Sequence, residues 1–216
     1  MADIFDEVSE ELKQDQLIQL WKKYSKHIIV LFVLLILFIS SYQGYIIWNK
    51  KQLTLNSEKF FSALEKMESQ KFKESANIFL KNSIEQKDGY KLLSTFGLAH
   101  SNFKNGNISE MVQNYQSIYE DKNVGIYYQN LARLLSTMKD NISSFDKLQN
   151  RLSPILNSPS KLQLLAAELE IILLIRFNKI DKALKSIEVL LDRTDMTSEQ
   201  KNRISLINKV YSSHEK

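Results

Sequence analysis

Residues 28–48 constrain this chain more than any other stretch. The run begins at Ile28, ends at Trp48 and carries no formal charge over 21 residues, fourteen of them Leu, Ile, Val or Phe. At about 1.5 Å per residue such a helix is roughly 31 Å long, close to the ~30 Å of a bilayer's hydrocarbon core. Each of the fourteen contributes roughly −0.3 to −0.6 kcal/mol at a helix centre, a sum of order −4 to −8 kcal/mol that outweighs Ser40, Ser41 and Gln43. Trp21 and Tyr24 stand at one edge, and Tyr42, Tyr45 and Trp48 at the other. Aromatic belts at both interfaces have this form. A buried core helix seldom runs so long without charge.

A cleaved signal peptide has a short basic start, an apolar run of about 7–15 residues and small residues at the cleavage site. Here the leading segment is long and acid-rich, with six acids and four bases over residues 1–27, and Tyr-Gln-Gly-Tyr-Ile-Ile-Trp is a poor cleavage context. The segment is expected to remain as the single anchor in the lipid bilayer. Lys22, Lys23 and Lys26 precede it and Lys50 and Lys51 follow it, so lysine bias is weak and N-inside is the simpler topology. Residues 1–27 read as an amphipathic helix with Ile4, Phe5, Val8 and Leu12 along one face. That face serves either as a cytosolic docking face for a partner or as the side of a helix lying on the bilayer. Three regions follow: a cytosolic segment 1–27, the span 28–48 and a soluble domain 49–216.

The soluble part is read through what it lacks. The whole chain has 5 Gly, 2 Pro and no Cys. Tight-turned sheets and phosphate-cradling loops need glycine, so helices joined by short polar turns are favoured. Without cysteine there are no disulfides or thiolate sites. Residues 50–216 carry 25 bases against 19 acids, scattered with no arginine-rich run, and nucleic acid is not an expected partner.

A period near 34 residues organises this region. Apolar residues that open the second helix of a pair recur at Phe72, Ile108, Ile142 and Ile180, and small residues in the first helix at Ala63, Ala99, Ala132 and Ala167. Residues 94–120 are the clearest copy, with Leu98-Ala99, Gly106, Ile108 and Tyr115 at the positions that set helix approach and plug gaps between pairs, Phe103 next to the usual aromatic place and Met111 replacing a small residue. This stretch resembles a tetratricopeptide repeat. The fold class expected is all-α: one N-terminal transmembrane helix, then a TPR-like α-solenoid of about four helix pairs, near 53–86, 89–120, 124–157 and 160–192, with a closing helix at 197–212. Thr197 or Ser198 is placed to cap that last helix.

No chemistry is legible. His27, His100 and His214 are scattered without metal-ligand spacing, and no phosphate-binding glycine pattern exists. The expectation is a non-catalytic chain with no cofactor, no metal and no small-molecule substrate. By repeat register the partner-binding groove would be lined by Phe96, His100, Phe103, Lys104, Gln129, Arg133 and Ser136. His100 is either a ligand contact there or an ordinary surface residue.

The opening Asp-Ile-Phe-Asp-Glu-Val-Ser-Glu-Glu-Leu, the Leu-Trp-Lys-Lys-Tyr before the span, and the span's end Tyr-Ile-Ile-Trp-Asn-Lys-Lys-Gln resemble the YfgM-like family, ancillary SecYEG translocon subunits of bacterial inner membranes. That resemblance implies a periplasmic repeat domain beside the export channel. Its partners would be Sec translocon subunits, periplasmic chaperones and nascent exported chains. A TPR scaffold in cell-envelope or division machinery, without translocon contact, is the alternative.

Overall fold

Helix dominates because so little in this sequence interrupts it. The computed structural model describes residues 2–86 and 88–212, with side chains from residue 17 onward except those of residues 28 and 88. Among the described residues there are nine helices and no strand: α1 Ala2–Glu68, α2 Phe72–Glu85, α3 Asp88–Lys104, α4 Ile108–Glu120, α5 Ile126–Lys139, α6 Phe145–Leu156, α7 Gln163–Arg176, α8 Ile180–Leu191 and α9 Ser198–Ser212. The chain divides into two units, Met1–Leu55 and Asn56–Lys216.

In the first unit α1 is unbroken, having no proline and a single glycine, Gly44. Its apolar stretch is long and apolar enough to cross a membrane, and none of that stretch is buried. Phe38 is 75% exposed and Leu31 66%. A helix serving as a protein core would instead be enclosed.

In the second unit the last turns of α1 pack on α2, through Ala63 against Ala76 and Phe79 and the Ser75 hydroxyl donated to the Ala63 carbonyl, followed by α3 with α4, α5 with α6 and α7 with α8. Each pair packs on the next, and α9 closes on α8. The second helices share one register. Ser75, Met111, Leu148 and Ala183 occupy its fourth place, Phe79, Tyr115, Leu152 and Ile187 its eighth, and Asn82, Ile118, Ile155 and Leu190 its eleventh; every one is at most 3% exposed. Spacing of 1-4-8-11 puts all of them on one helix face. Burying each large apolar member stabilises by roughly 1.5–3 kcal/mol. Ser75 and Asn82 are the polar members: the Ser75 hydroxyl bonds the Ala63 carbonyl, whereas Asn82 Nδ2 has no hydrogen-bond partner.

The turns within pairs share a second device. Gln70, Gly106 and Asn178 all have φ near +60 to +80, at 58°, 83° and 57°. Around each, the next residue's N–H reaches back five residues, from Lys71 to Lys66, Asn107 to Asn102 and Lys179 to Leu174. This is the left-handed helix stop that glycine suits best. The α5–α6 turn is built differently. Asp140 Oδ1 accepts the N–H groups of Ile142 and Ser143 at 3.1 and 3.0 Å, and Arg151 Nη1 donates to its Oδ2 at 3.0 Å. The turn is therefore longer, and the expected helix opener Ile142 lies in it, 65% exposed. Phe145 opens α6 instead. Likewise Ala63, Ala99 and Ala132 are fully enclosed, but in the fourth pair full enclosure falls on Ala166, one place before Ala167. At the far end Thr197 and Gln200 exchange bonds, Gln200 N–H to Thr197 Oγ1 and Thr197 N–H to Gln200 Oε1, a capping box that starts α9.

Candidate interaction surface

A cationic cluster forms where the ends of α3 and α5 come near each other. His100, Phe103 and Lys104 belong to the last turns of α3, and Lys139 is the last residue of α5. Lys139 Nζ lies 2.8 Å from His100 Nδ1 and 4.8 Å from the centroid of the Phe103 ring, whose own centroid is 6.4 Å from that of His100. An ammonium over a ring face is attracted by the ring's quadrupole. Burial first, then the charges of Lys139 and Lys104, hold His100 below its usual imidazole range. Burial and the Lys104 charge likewise push Lys139 below the ordinary lysine value. Neutral His100 thus presents Nδ1 as acceptor to Lys139, and its Nε2 carries the proton. Among the described ion pairs neither Lys104 nor Lys139 has a carboxylate partner. One cation over the Phe103 ring, with the Lys104 charge near it, suits a segment carrying carboxylates beside apolar groups.

The other four groove candidates are committed to packing. Phe96 is half-buried with its ring 5.9 Å from Tyr115, inside the α3–α4–α5 core. Gln129 turns its amide onto the carbonyls of Asp121 and Val124, which holds the α4–α5 turn. Arg133 lies over the Tyr119 ring at 4.3 Å and beside a cleft shared with Lys147, Asn150 and Arg151. Ser136 is fully buried, its Oγ unpartnered. The structure thus brings together His100, Phe103 and Lys104 and sets the remaining four apart. Ile4, Phe5, Val8 and Leu12 have helical backbone within α1, but their side chains lie outside the described residues. Lys139 was not among the positions that the repeat register gave. A signal existed: Lys104, Lys139 and Arg176 each end the first helix of a pair, where a cation complements the negative helix end. Among the described residues no group of three or more His, Asp or Glu could hold a metal.

The family profile described as "Tetratricopeptide repeat-like domain" matches residues 19–153, more than half of the chain. The chain belongs to the tetratricopeptide repeat-like family. No curated protein and no solved structure is significantly similar to it. The tetratricopeptide repeat-like match starts ahead of the apolar stretch and ends within α6, so the family's extent takes in the cationic cluster. Such domains mediate protein–protein interaction, and the stacked pairs continue past the match through α7 and α8 in the same register.

Proposed function

We propose that this protein is a non-catalytic interaction module held at a membrane by residues 28–48, with its repeat domain capturing protein segments at the His100–Phe103–Lys104–Lys139 cluster. One observation carries the reading: a single family match runs from residue 19, across the apolar stretch, into the helix pairs. A tether confines a weak binder to its target and raises its effective concentration there. The N-terminal resemblance to YfgM-like proteins supports a finer assignment. The protein is an ancillary subunit beside the Sec translocon of a bacterial inner membrane, N-terminus inside, passing newly exported chains to periplasmic chaperones.

Affinity capture of the full chain from gently solubilised membranes tests both levels. The finer reading expects channel subunits, periplasmic chaperones or exported chains to co-purify, and capture of division or envelope-assembly proteins alone would replace it with a scaffold. The Lys104→Glu/Lys139→Glu pair is expected to cut capture about tenfold or more with helical content unchanged. Undiminished capture by this variant would remove the cluster from the binding role. Protease treatment of spheroplasts checks sidedness, since a repeat domain cleaved only after membrane lysis would reverse the topology.

A further inference from the structure

The repeat domain exposes its large apolar side chains one at a time, except at one place. Among the described residues of Asn56–Lys216, only Ile126, Tyr127 and Tyr128 form a consecutive exposed run, at 69%, 48% and 45%. They are the first turn of α5. Side chains on a helix tilt toward its N-terminus, so those of a first turn reach past the helix start. The two tyrosine rings meet edge to face, with centroids 5.6 Å apart. Apolar residues exposed singly are ordinary, whereas a contiguous set marks a contact surface.

The place of this set in the domain identifies what it meets. Gly89 and Leu92 of α3, Ile118 of α4, and Val124 and Tyr128 line one cavity of about 480 Å³. The starts of α3 and α5 therefore share one end of the domain. That end also receives α1. Gln86 Nε2 donates to the Asn56 carbonyl at 3.4 Å, Lys59 pairs with Glu85, and the Phe60 ring lies 6.0 Å from that of Tyr90. Seven residues separate Asn56 from Trp48, where the apolar stretch ends. That connection covers about 12 Å as helix and at most about 29 Å fully extended. By chain length alone, a bilayer holding residues 28–48 stays within reach of this end. The local chemistry suits lipid. Tyrosine joins an apolar ring to a hydroxyl that bonds headgroups or water, and it is enriched at membrane interfaces. Lys91 and Lys122 are exposed beside the set and belong to none of the described ion pairs. Asp121 on the same turn spends its Oδ1 on the Asn123 backbone N–H and side-chain amide, at 2.9 and 3.0 Å.

We infer that Ile126, Tyr127 and Tyr128 seat the repeat domain on the lipid surface, with Lys91 and Lys122 toward the lipid phosphates. The inference rests on the reading of residues 28–48 as a bilayer anchor. Three side chains alone hold a protein to a bilayer only marginally, as a single acyl chain does. The tether makes so weak a contact sufficient, because it keeps the effective concentration high. The bilayer is also the partner that the chain itself carries within reach. His100, Phe103, Lys104 and Lys139 lie toward the opposite ends of α3 and α5. Seating the first turn of α5 on lipid thus turns the cationic cluster away from the bilayer.

The chain has no cysteine, so single fluorescent labels test this in the full chain, reconstituted into vesicles of phosphatidylcholine and phosphatidylglycerol. Tyr127→Cys, Ile142→Cys and Leu37→Cys each carry an environment-sensitive dye. Lipids bearing a nitroxide near the headgroup or at mid-chain are the quenchers. Ile142 is exposed on the turn beyond the far end of α5. Quenching is expected at positions 37 and 127 and not at 142. Adding Ile126→Ser and Tyr128→Ser, with helical content checked by circular dichroism, is expected to cut quenching at 127 about threefold or more. Equal quenching at 127 and 142, none at 127, or quenching at 127 indifferent to the two serines would each overturn the inference. A label at 127 shielded from water yet beyond the lipid quenchers would assign the set to a protein, a second copy included, and overturn it too. Absence of quenching at 37 would overturn the anchor and this inference together, whereas quenching at 37 without 127 overturns this inference alone.

Discussion

Asp140→Asn should destabilise the repeat domain far more than the removal of one charge suggests. Asp140 is fully buried and Arg151 only 9% exposed, with 3.0 Å between Arg151 Nη1 and Asp140 Oδ2. The asparagine keeps an oxygen for the Ile142 and Ser143 N–H groups, but its amide nitrogen would face the guanidinium, donor against donor. An uncompensated buried cation remains. Breaking one partner of such a pair costs about 3–5 kcal/mol, which for a chain of this size is a fall in Tm of about 6–20 °C. Arg151→Met strands the carboxylate and should cost a comparable amount. The double variant removes both charges and should recover much of the loss, because replacing a buried pair with apolar groups is often near neutral. Thermal and urea unfolding of the detergent-solubilised full chain, followed by far-ultraviolet circular dichroism, measures all three. Acid titration gives an independent check. Burial works to raise the Asp140 carboxyl, but the bonds from Ser143, Arg151 and Ile142 together outweigh it and hold it below the ordinary value. The folded state thus binds fewer protons than the unfolded state in acid. The contribution is fully present above about pH 4 and is lost as pH falls through the folded value. Asp140→Asn should lack that acid limb. If the single variant unfolds within about 1 kcal/mol of the parent and keeps the limb, the buried pair does not hold the third repeat.

Three further outcomes follow from particular contacts. Gly97→Ala drives a methyl into the Phe79 ring and should cost about 1–3 kcal/mol by urea unfolding, with Phe79→Leu in the same chain relieving part of that cost. Gln70→Gly should raise stability by about 1 kcal/mol and Gly106→Ala lower it similarly, since both positions hold left-handed backbone; a loss for the first or a gain for the second in calorimetry would refute the shared turn. Lys139→Met removes one of the charges that hold His100 down, so an NMR titration of its ring protons should show the imidazole pKa rise. Because a depressed histidine favours folding above its unfolded value near 6.5, stability due to His100 should weaken as pH falls below that and weaken less in Lys139→Met.

The helix pairs were legible because their apolar residues recur at fixed places in a chain nearly free of glycine and proline. Phe72, Ile108 and Ile180 do open their helices. Ile142 misled because local apolarity at about the right spacing says nothing of a carboxylate that lengthens the turn. Asp140 finds Arg151 eleven residues later and offers its backbone carbonyl to Arg176 thirty-six residues later, and only the fold reveals such partners. His100, Phe103 and Lys104 stand together because they lie on adjacent turns of one helix. The repeat register had no means of seeing that Gln129 bonds a turn or that Arg133 stacks on Tyr119. Gln129 bonds back to the turn that precedes its own helix and Arg133 reaches α4, choices of side-chain rotamer that the repeat spacing does not fix.

The irregular third turn bears on the cationic cluster as well as on stability. Lys139 is the residue immediately before Asp140, and it reaches α3 from the very end of its helix, where backbone ordinarily frays. Here that end is fixed from two sides. Asp140 N–H closes onto Ser136, its carboxylate is bound by two backbone N–H groups and Arg151, and both Arg176 Nη atoms reach its carbonyl at 3.1 Å. The left-handed stop used by the α1–α2, α3–α4 and α7–α8 turns places a residue with positive φ two positions past the helix end, and among the described residues no buried ion pair anchors it. Substituting a carboxylate lock at this one turn holds the Lys139 backbone rigid. A half-buried ammonium can then stay on His100 and Phe103, and in the binding role proposed for the cluster less side-chain entropy would be lost on each encounter. The departure from the repeat pattern thus falls beside the residues that the pattern brings together.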